Sequence, residues 1–175
     1  MSLRRRCVPS SIALPLAVAV LACGAPVSRS VPQLMGGAGS VERRAPSALE
    51  LRVHELVNDH RRSLGLAPLA YSAELAAVAR VHSEDMAAGR VPFGHDGFDA
   101  RAEEVLKLLP YSDFAENVAY NDYGTSDAAQ IAVSDWLNSR EHRERIEGDY
   151  GVTGVGIAVD GRGTYYFTQL FVKRE

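Results

Sequence analysis

The chain has 175 residues, 46% of them apolar, which is enough for one core of about 125 residues once an N-terminal segment is set aside. Its formal net charge is −3 and becomes −6 without Arg4, Arg5 and Arg6, because 19 basic residues less those three then face 22 acidic ones. An acidic chain without a basic stripe argues against a nucleic-acid partner. Cys7 and Cys23 are its two cysteines and both lie early, so the domain that follows is expected to hold no internal disulfide.

Arg4, Arg5 and Arg6 form a basic start, and Ser10 to Ala22 is an apolar run of thirteen residues, shorter than the roughly twenty a spanning helix needs. The pattern predicts a signal peptide over residues 1–22. The run closes in Val20-Leu21-Ala22-Cys23-Gly24, which resembles a bacterial lipobox. Small Ala22 admits a peptidase to the backbone, and the Cys23 thiol is the group that is acylated. Ordinary secretory cleavage with Cys23 incidental is the alternative, and both routes place the domain outside the cytoplasm. At about 0.8 kcal/mol per buried methylene, the two or three chains of a lipoprotein cysteine would anchor the protein stably to a membrane. Gly24, where many inner-membrane lipoproteins have aspartate, favours the outer membrane. Residues 23–46, with Pro26, Pro32, Pro46 and Gly36, Gly37 and Gly39, read as a flexible tether.

The globular domain is expected over residues 47–175. Ser47-Ala48-Leu49-Glu50 has the form of a capping box, and Val53, Leu56, Val57 and Leu64 share a helical face, so the first helix is predicted at 48–64. Leu75, Val78, Ala79, His82 and Met86 recur at helical spacing and predict a second helix at 72–88. Residues 91–97, with Pro92, Gly94 and Gly97, read as a loop presenting His95, and 99–108 as a shorter helix. A short strand is expected at 115–120, a helix capped by Asp127 and built on Ile131, Val133, Trp136 and Leu137, and a helical piece at 141–147. The runs 152–159 and 164–172 predict a hairpin whose turn, Asp160-Gly161-Arg162-Gly163, places glycines where positive φ is needed. Helices first, then a small sheet with more helix between, give an α+β layered domain.

Several segments read together resemble the CAP superfamily, named for cysteine-rich secretory proteins, antigen five and pathogenesis-related proteins of group one. They are Asn58-Asp59-His60-Arg61 with Gly65-Leu66-Ala67-Pro68-Leu69, then His82 to Met86, Phe93-Gly94-His95, and Ala115-Glu116-Asn117-Val118-Ala119. Trp136 with Ser139 and His142, Gly154-Val155-Gly156, and Tyr166-Phe167-Thr168-Gln169 complete the set. The resemblance, to the short bacterial type that lacks the cysteine pairs, implies an α-β-α sandwich with a small central antiparallel sheet flanked by helices. It also implies a cleft lined by two histidines and two acids. His95 matches the first histidine, Glu116 the acid of the Glu-Asn pair and His142 the second histidine, whereas the other acid falls on Ser139. Glu141 lies close enough in sequence to substitute in part.

Two imidazoles and a carboxylate could hold zinc or another divalent metal with an open position for water, or could form a hydrogen-bonded cluster without metal. Ser139 and His142 stand at i and i+3, so a serine nucleophile with a histidine base is weighed against Ser139 ending a helix. Asn117 is expected to hold the cleft through its amide, and Trp136 to anchor the core. His82, on an apolar face, reads as a hydrogen-bonded core residue, and His54 and His60 as capping or solvated. Tyr111, Tyr120 and Tyr123 are candidates for rimming a groove or for plain surface aromatics.

Three functions follow: a non-catalytic binding module for a lipid, a cell-wall component or a protein; a metal-assisted hydrolase with Glu116 as general base, with His95 and His142; and a structural envelope protein. The first is favoured, because a fold does not carry a reaction with it. A monomer is expected.

Overall fold

The computed structural model describes residues 44–175, so the predicted signal peptide, Cys23 and most of the tether lie outside the described residues. Helix α1 runs Ala48–Ser63, begun by the predicted capping box: Glu50 N–H donates to Ser47 Oγ and Ser47 N–H to Glu50 Oε2. Val53 and Val57 are buried as expected, while Leu64 is the C-cap and stays exposed. Strand β1, Ala70–Tyr71, has only two residues and leads into α2, Ala73–Ala87, whose N-cap Ser72 accepts from Leu75 N–H. Then come α3, Phe98–Leu108; β2, Tyr111–Asn121; α4, Ala128–Asn138; α5, Arg140–Glu147; β3, Val152–Val159; and β4, Tyr165–Arg174.

Strand order is β1-β3-β4-β2. The β3–β4 hairpin and the β4–β2 pair form the small antiparallel sheet, and the two-residue β1 joins β3 in parallel at one edge. Two residues with Ala70 opposite Val152 suffice for that pairing because α2 begins immediately afterwards. In the hairpin turn only Gly163 has positive φ, because the Asp160 carboxylate accepts from Arg162 and Thr164 N–H and holds the rest of the turn. Asp127 occupies the N-cap of α4 without a side-chain capping bond.

Alternation along each strand divides the core in two. Phe167 and Phe171 join Val53, Val57, Ala132, Trp136 and Ile146 in the layer of α1, α4 and α5. Leu170 and Val172 join Leu75, Val78, Ala79 and Val105 in the layer of α2 and α3. The α-β-α sandwich is therefore as the resemblance implies. Gly154 and Gly156 let α2 lie directly on β3, since a Cβ on either would overlap backbone of Ala76 or Arg80.

Buried polar side chains fasten the connections. Asn58 accepts from Leu69 N–H and donates to Leu69 C=O, at 2.8 and 3.1 Å, and Arg61 donates to the carbonyls of Ala67, Ile146 and Gly148. Fully buried Glu50 is gripped by Arg80 through two bonds of 2.9 and 3.1 Å. Thus the capping box that starts α1 also pins it to α2.

Candidate functional site

Alternation on β2 turns Glu116 toward the α2–α3 layer and Asn117 toward α5. In the sheet interior this would separate their partners for good. However, β2 is an edge strand, and groups from both layers meet around its open side.

On the first side, the Glu116 side chain has no solvent exposure and is held by three charge-assisted bonds. Arg101, from α3, donates through Nε to Oε2 and through Nη2 to Oε1, each at 2.7 Å, and His95 Nδ1 donates to Oε1 at 2.8 Å. The same guanidinium donates from Nη1 to Asp96 C=O at 2.7 Å and to His82 Nδ1 at 3.1 Å. With Nδ1 accepting, His82 carries its proton on Nε2, which donates to Gly94 C=O at 2.8 Å. Burial pushes the pKa of His82 below its ordinary value, against the raising effect of the Gly94 bond. His82 is therefore a buried, hydrogen-bonded residue, and it also braces the loop that carries His95.

On the second side, Asn117 is fully buried and ties α5 to the sheet, donating to His142 C=O at 3.1 Å while Arg145 Nη1 donates to Asn117 Oδ1 at 3.4 Å. His142 is half-buried and its ring makes no hydrogen bond among the described residues. Its pKa lies below the ordinary value through burial first, then through the charges of Arg145 and His95. Between the two sides lies an open hollow of about 440 Å³, walled by His95, Phe98, Phe114, Ala115, Glu116 and Arg145. His142 stands beside this wall rather than in it.

Other candidates fall elsewhere. Ser139 joins α4 to α5 and donates to Glu141 Oε2 at 3.3 Å, so it forms no hydrogen bond with His142 and no nucleophile–base pair. Glu141 is exposed and borders a separate depression with Asp113 and Lys173, and it does not stand in for the missing acid. Tyr111 is half-buried and donates to Ala102 C=O, whereas Tyr120 and Tyr123 are exposed, with Tyr120 packed on Phe93 and Tyr166. These tyrosines do not rim one groove. His54 and Asn58 both contact Leu69 C=O, and His60 pairs with Glu147, so neither histidine belongs to the site.

The ligand set expected for zinc, His95, Glu116 and His142, does not fit a divalent metal. Among the described residues no group of three or more His, Cys, Asp or Glu is gathered to hold one, and both oxygens of Glu116 already accept from a guanidinium. Sequence reasoning missed Arg101, Arg145, Phe98 and Phe114. Neither arginine carries a local signal, because each sits in a charged helical run that resembles a solvated face.

The family model described as the cysteine-rich secretory protein family, CAP, matches residues 54–171. The chain belongs to the CAP family. A Bacillus subtilis protein named uncharacterized membrane protein YlbC is 35% identical over 138 residues, which cover 75% of this chain and 36% of that protein. An extracellular protein containing an SCP domain from Bacillus anthracis superposes with TM-score 0.60 at 25% identity, covering 72% of this chain and 40% of the other. An outer surface protein of Borrelia burgdorferi shares the fold alone, with TM-score 0.61 at 19% identity, covering 75% and 97% of the two chains. This CAP chain therefore spans well under half the length of the first two. No helix among its described residues is long and apolar enough to cross a membrane.

Proposed function

We propose that this protein is an extracytoplasmic, lipid-anchored CAP-domain binding module, in which the hollow at the β2 edge receives a lipid, cell-wall or protein ligand without chemical turnover. The observation that carries this reading is the state of Glu116. A general base must be free to take a proton from bound water, and here both carboxylate oxygens are committed to Arg101 with His95 on one of them. His95 is accordingly held through Nδ1 while its side chain stays 46% exposed, an arrangement suited to recognition.

Anchoring would come through acylated Cys23 and residues 24–46 would act as the tether. Relatives described as an extracellular protein, an outer surface protein and a membrane protein are in keeping with that placement. The test is in two parts. Cells expressing the full chain or Cys23→Ser are fed a clickable palmitate analogue, and label on the wild type alone is expected in the envelope fraction. The full chain is then extracted with organic solvent for mass spectrometry. A specific co-purifying compound, lost in His95→Ala, supports the binding module, whereas hydrolysis of an ester or peptide panel that is lost in Glu116→Gln overturns it.

A further inference from the structure

We infer that the hollow at the β2 edge selects an oxyanion, a carboxylate or phosphate, borne on a flat apolar body, with Arg145 as the charge partner and Phe98 and Phe114 as the apolar wall. This rests on the reading of the hollow as a binding site and adds the chemical class of what it takes.

Glu116 supplies the one negative charge in the wall, and Arg101 matches it from inside the protein with two bonds of 2.7 Å. Arg145 is left as the wall's unbalanced charge. It is half-buried, forms no ion pair among the described residues, and makes one long bond of 3.4 Å to a neutral amide. The acids nearby are engaged elsewhere: Glu141 with Ser139, Glu144 with Arg140, Asp149 with Lys173, and Asp113 with Tyr150. A guanidinium with Nε and Nη2 uncommitted is a fork matched to two oxygens of one anion.

Two further features agree. His142 is kept from protonation by burial first and then by the charges of Arg145 and His95, against the opposing charge of Glu141, so Arg145 acts on the groups around the hollow. Phe98 and Phe114, with ring centroids 5.2 Å apart, share the wall with Arg145 and give it an apolar surface. A bare anion would gain only the charge contact in water, whereas an aromatic or acyl body beside it adds burial against those rings. Arg145 also borders the depression near Asp113, whose acidic sides disfavour an anion, so the aromatic hollow is the side on which one fits.

The test uses the full chain in non-ionic detergent, titrated by calorimetry and by histidine-ring NMR with four probes of equal body: benzoate, phenyl phosphate, benzyl alcohol and benzylamine. Benzoate or phenyl phosphate is expected to bind saturably and shift the His95 and His142 rings, with benzyl alcohol at least tenfold weaker and benzylamine without effect. Whichever anion binds more tightly tells whether carboxylate or phosphate is the preferred group. Arg145→Gln should weaken the anions tenfold or more, while Arg145→Lys, which keeps the charge but loses the two-pronged donor, should fall between wild type and Arg145→Gln. Equal binding of benzyl alcohol or benzylamine at the same rings overturns the anion preference and leaves a binding hollow. Absence of binding by all four probes overturns the inference, and together with no co-purifying compound it overturns the binding module as well.

Discussion

Replacing Arg101 with methionine should be among the most costly single changes in the domain. The Glu116 side chain is fully buried and that of Arg101 is only 11% exposed, so removing the guanidinium strands a carboxylate whose strongest partner is gone. Breaking a buried pair from one side costs about 3–5 kcal/mol, a large part of the roughly 5–15 kcal/mol that stabilises an ordinary domain. Arg101→Met also frees the Asp96 carbonyl and His82 Nδ1, which places the expected loss toward the upper end. Glu116→Gln removes the same charge contact but leaves an acceptor for Arg101, and about 2–3 kcal/mol is expected. The double variant should lose clearly less than the two losses combined, with a coupling of about 1.5–3 kcal/mol. Urea unfolding at pH 7, followed by circular dichroism and with slopes held in common, measures all three. Losses that add to within about 0.5 kcal/mol would show that the two groups do not act as a pair.

Gly156→Ala should cost about 3 kcal/mol or leave the chain insoluble, since its Cβ would overlap Arg80 backbone on α2; an unchanged urea midpoint would contradict the close approach. The folded state holds the pKa values of His82 and His142 below the ordinary 6.5. The unfolded chain therefore binds those protons first, and stability present above about pH 6.5 is lost as the pH falls below it. Comparing urea midpoints at pH 7.5 and pH 5 should show this fall, and His142→Gln should reduce it; a midpoint that rises on acidification in wild type but not in the variant would reverse the sign. Ser139→Ala should leave both the fold and probe binding within about 0.5 kcal/mol of wild type, and a loss of either beyond that would restore Ser139 to the site. Tyr71 and Tyr150, each pushed up to about 12 chiefly by burial, should be the last phenols to ionise in an ultraviolet pH titration. Full ionisation of all tyrosines near pH 10 would rule that out.

The elements that could be read from sequence were those with a local chemical marker. Ser47 and Glu50 announce α1, the stripe from Leu75 to Met86 announces α2, and Asp160 to Gly163 announces the hairpin. Strand β1 has two residues, too few for any period, and exists through its pairing with β3. The first residues of β2, Tyr111 to Phe114, lack clean alternation and are paired to β4 through an irregular register.

For the site, the family resemblance supplied His95, Glu116, Asn117 and His142, and the fold decides what they do. Arg101 lies 15 residues from Glu116, within Arg-Ala-Glu-Glu on α3, and only the packing of α3 against β2 aims it at a buried acid. Arg145 is hidden in the same way among the charges of α5. The resemblance places His142 and Glu116 in one cleft; alternation on β2 instead sets Asn117, the neighbour of Glu116, against His142 on α5, and Glu116 toward α3.

The proposed function requires Glu116 to be the partner of Arg101 and not of a metal. Calorimetric titration of the full chain with zinc, repeated with His95→Ala and His142→Ala, tests this most directly. No stoichiometric binding at micromolar zinc is expected in any of the three proteins, whereas one zinc per wild-type chain, lost in both variants, would contradict it.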